Sequence, residues 1–344
     1  MPVVSSSGIT GFHREAKAVA PGVVTGRYGT LGEVFFLDRD YWPLNTALYV
    51  TDFKGNDPRF VAYFLRHHLK DYQSDKAAVP GIDRNVLHEL KVRTPDLAIQ
   101  LRMVDVLQRY DDLIDNNRRR IKLLEDSVRM LFDEWFCISR STTWPTATLQ
   151  ALCVDDSGVQ TGPFGSQLHQ SDYTEEGVPV VMPKDLALMR IDTRAIARIP
   201  EHLADELGRH RMQRGDIVFG RRGEIGRRAY IGQRQVGYFC GTGCLRLRPD
   251  PARVNPRFLF EMLRAPLVAG EIANRAKGST MANLSAGALQ SVPVPIPPRA
   301  LQSRFANFAD DVAEQVDTLD EQSVKLRTAR DLLLPRLMSG ELTV

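Results

Sequence analysis

Gly220-Arg221-Arg222-Gly223-Glu224-Ile225-Gly226 restates, with all three glycines in place, an earlier stretch of the same chain, Gly26-Arg27-Tyr28-Gly29-Thr30-Leu31-Gly32. Farther along, Asp57-Pro58-Arg59-Phe60 is echoed by Asn255-Pro256-Arg257-Phe258, and the run from Val92 to Gln100 by that from Val294 to Gln302. The order is kept, and the lag of about 200 residues lengthens slowly, as small loop insertions would make it do. So long a lag excludes a solenoid of short repeats; the unit is a whole domain together with the helix after it. A chain built as module, helix, module, helix carries two similar surfaces. It suits a two-site reader better than a single-site catalyst.

Composition sets the frame. At 344 residues the chain is long enough for two domains with cores of their own, and its 43% hydrophobic and 25% charged residues are those of a globular protein. No apolar run is long enough to span a bilayer, and the first residues lack a signal-peptide pattern. Cys137, Cys153, Cys240 and Cys244 form no C-x-x-C pair, which points to a reduced, cytoplasmic protein. The net charge of +3 is unevenly placed: residues 1–95 hold 12 Lys/Arg against 10 Asp/Glu, and residues 140–298 hold 20 against 15. The segments 96–136 and 299–338 are mildly acidic, at 7 against 9 and 6 against 7. Arg209, Arg211, Arg214, Arg221, Arg222, Arg227, Arg228 and Arg234 form the densest basic cluster. Phosphate recognition needs such a local excess, although a solvated basic face reads the same way.

Short β-prone runs punctuated by Gly and Pro (Val3-Val4, Val23-Val24, Val34-Phe35-Phe36, Ala47 to Val50) predict strands in the first module, and Pro58–Leu69 predicts a helix. The second module repeats the plan around Val178–Val181, Asp216–Phe219 and Leu245–Leu247, with a helix from Pro256 to about Leu263. Each module leads through Pro into a long helix. Leu97, Leu101, Val104, Leu107, Ile114, Ile121, Leu124, Val128, Leu131 and Trp135 form one stripe. Leu301, Phe305, Phe308, Val312, Val316, Leu319, Leu326, Leu333 and Leu337 form the other. Forty residues make a rod of roughly 60 Å, and so narrow a stripe calls for another helix as its partner. The expected fold is α+β: two similar modules separated by two long helices that pair as an antiparallel coiled coil. Its expected parts are a first module at 1–95, a spacer helix at 96–138, a second module at 140–298 and a second spacer helix at 299–340. Matching Met1–Val4 to Val178–Val181 leaves no counterpart of 144–177 in the first module, which reads as a natural truncation or a mis-assigned start.

Several ordered motifs carry a resemblance. They are Pro80-Gly81-Ile82-Asp83-Arg84-Asn85, Asp111-Asp112-Leu113-Ile114-Asp115-Asn116-Asn117-Arg118-Arg119-Arg120-Ile121, and Leu131-Phe132-Asp133-Glu134-Trp135-Phe136. Two more lie in the second half: Gly278-Ser279-Thr280-Met281-Ala282-Asn283-Leu284-Ser285 and Leu333-Leu334-Pro335-Arg336-Leu337-Met338-Ser339-Gly340-Glu341-Leu342. Together they resemble the specificity (S) subunit of type I restriction-modification systems, a host-defence machinery, over nearly the whole chain. The resemblance implies that each module is a target-recognition domain for one half of a split double-stranded DNA site. It implies that the paired helices are a ruler and a docking surface for DNA methyltransferase (M) subunits. Restriction/translocase (R) subunits would join for cleavage. S-adenosylmethionine, ATP and Mg are then expected on those partners and no cofactor in this chain. The shortened first module leaves its half-site open.

The glycine pattern lacks the G-x-G of a dinucleotide fold and lies between strand-like runs, so a tight β-turn is expected there. Such a turn presents Arg27, or Arg221 and Arg222 with Arg227, outward for guanine or for phosphate. Lys277, Ser279, Thr280 and Asn283 offer charge, hydroxyls and an amide to phosphate, or else serve as local turn and cap chemistry. Lys184 is a weaker candidate, since a surface pair with Asp185 explains it equally. Cys240-x-x-x-Cys244 lacks a second ligand pair, and strand burial accounts for it better than a metal. No catalytic residue is assigned. Two rival readings remain, a coiled-coil adaptor that binds proteins and a stand-alone nucleic-acid enzyme.

Overall fold

Runs such as Val3-Val4, Val23-Val24 and Val34-Phe35-Phe36 are β-branched or aromatic and closely bounded by turn formers, which suits a half-buried pleated surface. The computed structural model describes residues 1–27, 32–69, 82, 84–136, 144–164, 167–187, 189–276 and 283–344. They divide into two units, Met1–Ile121 with Asp317–Val344, and Lys122–Val316. In the first unit, β1 (Pro2–Ser5) pairs antiparallel with β2 (Gly8–Phe12). A second sheet is built on β3 (Gly22–Gly26), which is antiparallel to β4 (Val34–Leu37). β5 (Trp42–Pro43) runs parallel to β1, and β6 (Ala47–Tyr49) antiparallel to β3. Val4, Val24, Leu37, Tyr41 and Ala47 pack together as a core drawing on both sheets. Then come α1 (Pro58–Leu69), α2 (Arg84–Glu89) and the long α3 (Leu97–Phe136).

The second unit repeats this pairing strand for strand. β7 (Thr146–Thr148) and β8 (Val159–Thr161) come first, then β9 (Val178–Val181). β10 (Leu186–Ala187), β11 (Arg190–Ile191), β12 (Ala197–Ile199) and α4 (Glu201–Glu206) come next. β13 (Ile217–Gly220), β14 (Arg228–Tyr230), β15 (Phe239–Cys240) and β16 (Cys244–Leu247) complete the sheets. β9 is antiparallel to β12 and parallel to β15, as β1 is to β2 and β5. β13 is antiparallel to β14 and β16, as β3 is to β4 and β6. The sequence repeat is therefore a repeat of topology. The second unit adds β8 along β16. α5 (Pro256–Met262), α6 (Pro266–Arg275), α7 (Ala286–Gln290), β17 (Pro293–Pro295, paired with β7) and the long α8 (Arg299–Met338) end the chain.

Both long helices are forty residues, as the apolar spacing predicts, and they pair antiparallel. In the first unit Asp111 meets Arg330, and Asn117 Nδ2 lies 3.4 Å from Ser323 Oγ, so numbers rise along one helix as they fall along the other. In the second unit the rings of Phe132 and Phe136 lie 5.5 and 5.4 Å from that of Phe305, and Phe136 lies 4.9 Å from Phe258 of α5. The stripe departs from its expected membership in one respect. Leu97 and Leu101 are each 49% exposed and Phe308 37%, whereas Gln100, Asn117, Gln302 and Ser323 are buried. Asn117 and Ser323 meet across the seam, and Gln100 and Gln302 are buried against their modules; a reading of apolar residues alone passes over all four.

Two of those polar residues bind each helix to its module. Gln100 Oε1 accepts from Asp57 N–H (2.9 Å), and its Nε2 donates to Asn56 Oδ1 (2.7 Å) and Pro95 O (2.9 Å). Gln302 repeats this: Oε1 accepts from Asn255 N–H (2.9 Å) and Nε2 donates to Pro297 O (2.8 Å). Asp57 and Asn255 in turn cap α1 and α5 through Phe60 N–H (2.8 Å) and Phe258 N–H (3.2 Å). Gln302→Ala leaves the Asn255 N–H and Pro297 carbonyl without their partner, at a cost of about 1–3 kcal/mol. Urea unfolding should show this as a lower midpoint with an unchanged slope, and Gln100→Ala should behave alike.

Candidate nucleic-acid interface

The repeated glycine-arginine stretch is held in the same way in each unit. Arg27 N–H donates to Thr46 O (2.9 Å), and its carbonyl accepts from Ile82 N–H (2.9 Å). Arg221 N–H donates to Gly243 O (2.8 Å), and its carbonyl accepts from Leu284 N–H (2.9 Å). Each arginine thus bridges a strand-connecting loop and the segment that precedes its long helix. Between β13 and β14 the chain makes a loop, 221–227, longer than the tight turn its glycines suggest, with Gly223 at φ +80° and Gly226 at φ +100°. Such φ values favour glycine over residues with a Cβ. The expected tight turn is therefore replaced by a longer hairpin loop closed by Gly220 N–H to Arg227 O (2.8 Å). The matching loop of the first unit, 28–31, lies outside the described residues.

Three strands of chain converge on the Arg221–Arg222 loop. Gly162, Pro163 and Phe164 come directly after β8, and Thr242 and Gly243 join β15 to β16; with Arg221, Arg222 and Cys244 they line a cleft of about 90 Å³. Gly162 N–H donates to Cys244 O (3.0 Å) and Thr242 Oγ1 donates to Pro163 O (3.0 Å). Arg222 pairs backbone to backbone with Asn283 in a single antiparallel bridge. Arg222 is exposed, and Arg221 Nε and Asn283 Oδ1 are buried with no hydrogen-bond partner among the described residues. No carboxylate lines the cleft among the described residues.

The remaining candidates fall in different places. Arg27 is exposed at the end of β3. Lys184 is exposed on a turn, Pro183–Asp185, whose cap is the Asp185 carboxylate accepting from Met182 N–H (2.9 Å). Burial pushes the Asp185 carboxyl up. Arg227 is turned to Glu224, its Nε 2.7 Å from Oε2. Lys277, Ser279 and Thr280 lie outside the described residues.

The basic cluster is largely engaged by the protein itself. Arg211 donates to Glu201 (2.6 Å) and Asp205 (2.7 Å), and Arg209 Nε donates to His210 Nε2 (3.1 Å). Arg228 is buried with its guanidinium 5.7 Å from the Phe260 ring centre, and desolvation holds its pKa down to about 10. Arg228 Nη1 donates to Gly226 O (3.0 Å), which steadies the far end of the loop. Arg228 therefore lies beneath the exposed basic face, and Arg221 and Arg222 are the members of the cluster that line the cleft. Cys240 and Cys244 are buried strand residues, and burial pushes the Cys240 thiol up to about 12. Among the described residues no group of three or more His, Cys, Asp or Glu side chains is placed to hold a metal ion. Phe164, 62% exposed in the cleft, is a residue that sequence reasoning misses. Its signal is an aromatic set between Gly162-Pro163 and Gly165.

Fold and cleft define a protein of duplicated recognition modules. The model of the type I restriction modification DNA specificity domain matches residues 6–126 and 172–327, most of the chain, and the protein belongs to that family. Among curated relatives it is similar to the type I restriction enzyme MjaIX specificity subunit of Methanocaldococcus jannaschii, 23% identical over 298 residues, covering 81% of this chain and 67% of that protein. The MjaVIII specificity subunit of the same organism is 19% identical over 313 residues, covering 83% and 70%. The fold is shared with the crystal structure of a type I restriction-modification S subunit from M. genitalium. The TM-score is 0.61 and the identity 16%, with 98% of this chain and 88% of that one covered. No helix among the described residues is long and apolar enough to cross a membrane.

His210, 2% exposed behind the Arg209 guanidinium, gives a test of this region's packing. Burial first, then the charges of Arg209 and Arg246, hold its imidazole down to about 4 from 6.5. Between those values the unfolded chain binds a proton that the folded chain does not, so stability falls as the pH drops. His210→Gln removes that contribution. Its urea midpoint should decline less than that of the parent chain between pH 6.5 and pH 4, with the two curves running parallel above pH 7.

Proposed function

We propose that the chain reads a bipartite target on double-stranded DNA and directs adenine methylation or cleavage by partner subunits. The observation that carries this reading is the paired strapping of Arg27 and Arg221, which offers one arginine from the same position of each module. Arg222 adds an exposed guanidinium without an ion pair, beside a cleft with no carboxylate in its lining, among the described residues. Guanidinium groups so placed suit guanine edges and phosphates, and binding through them weakens steeply with salt.

In this reading the chain itself is non-catalytic and cytoplasmic. Methyltransferase subunits dock on the helices and hold S-adenosylmethionine; restriction/translocase subunits join for cleavage and use ATP and Mg. Lys184, Arg227 and Asn283, with Lys277, Ser279 and Thr280, remain candidates for supporting phosphate contacts. The repeat of the whole module supports two half-sites over one, and its membership of the DNA specificity family supports DNA as the partner.

A genome-wide map of methylated adenines in cells expressing this chain with its methyltransferase tests the proposal. The expected result is a split motif with a fixed gap. A palindromic motif made of one repeated half-site would show that only one module reads DNA. Absence of any methylated motif, with the methyltransferase bound to the chain, would favour a protein-binding adaptor instead.

A further inference from the structure

Phe164 is out of place by ordinary burial. An aromatic side chain 62% exposed on a structured surface leaves apolar area in water. The segment that carries it has no slack. A Cβ added at Gly162 would lie 2.0 Å from Gly241 O, so only glycine permits the approach. The backbone is then tied at Cys244 O and by the Thr242 hydroxyl, and Pro163 fixes its own φ. The ring is thus presented on a rigid support, which lowers the ordering cost of binding.

Its neighbours say what it meets. Arg221 and Arg222 line the same cleft, with Pro163, Thr242 and three small or apolar residues. Two guanidinium groups beside a bare ring fit a surface that is anionic and also offers an apolar group. In the major groove of DNA, that group is the thymine C5-methyl. We propose that Phe164 is a specificity-determining residue of the second module, which selects thymine by contact with its methyl group while Arg221 and Arg222 hold the neighbouring base edge or phosphate. The inference rests on the DNA-reading role above.

The test uses the complex of this chain with its methyltransferase and the mapped target. Each thymine in the half-site read by the second module is replaced in turn by deoxyuridine, which lacks the methyl. One position should weaken binding by the parent complex about fourfold, the value of one buried methyl. Phe164→Ala should bind the all-thymine target several-fold more weakly and show no further loss at that position, whereas Phe164→Leu should retain part of the discrimination. Because the ring is exposed, the variant's thermal unfolding should match the parent's.

Equal binding by Phe164→Ala and the parent would overturn the inference, as would losses that simply multiply or a half-site containing no thymine on either strand. Unchanged DNA affinity with weakened association of the methyltransferase would assign the ring to a protein contact. Failure of the parent complex to prefer any DNA sequence would overturn the DNA reading itself, and the inference with it.

Discussion

A buried glutamine at the root of each long helix holds a module to its helix. Gln100 and Gln302 are 2% and 1% exposed, and each bridges the residue that caps a short helix to the proline-rich turn that starts a long one. A backbone N–H inside a protein needs a partner, and here a side-chain amide supplies it at a point where three segments meet. The same atoms play the same part in both units. The repeat is therefore carried faithfully by the joint between module and helix.

Electrostatics are distributed by the same logic. Asp216, 1% exposed, takes two hydrogen bonds from Arg248 at 2.8 and 2.7 Å, and the buried Arg246 donates to Arg209 O and Ser157 O. These deep arginines are matched in part by carbonyls, carboxylates or rings, which offsets the cost of desolvating a charge, although Arg228 and Arg246 each keep a buried Nε without a hydrogen-bond partner among the described residues. The cleft takes its character from Arg222 in the open, Arg221 half-buried, and Phe164 on the same lining. The local excess of positive charge matters less than the few guanidinium groups the interior does not claim.

Much of this was legible in the sequence. Pro58–Leu69, Val178–Val181 and the two forty-residue helices stand where periodicity and turn residues place them. The topology of the second module mirrors that of the first through the repeat. What escaped was decided by contacts between distant residues. Gln100 and Asn117 look like surface positions in a hydropathy pattern, and only the module against one and the partner helix against the other bury them. Arg228 and Arg222 lie six residues apart in one basic run, yet one packs on Phe260 and the other faces solvent. Phe164 gave a weak local signal, because an aromatic in a loop becomes informative only when two arginines are seen beside it.

The Asn117–Ser323 pair has a consequence for how this chain can change. Both residues are buried in the seam, and Ser323 also donates to Leu319 O at 2.7 Å. Sliding either helix by one turn would part the amide from the hydroxyl, so the pair favours one alignment of the two strands of the coil. An insertion or deletion in one long helix alone breaks that alignment. A change of length in one helix is thus felt as a change of register against the other.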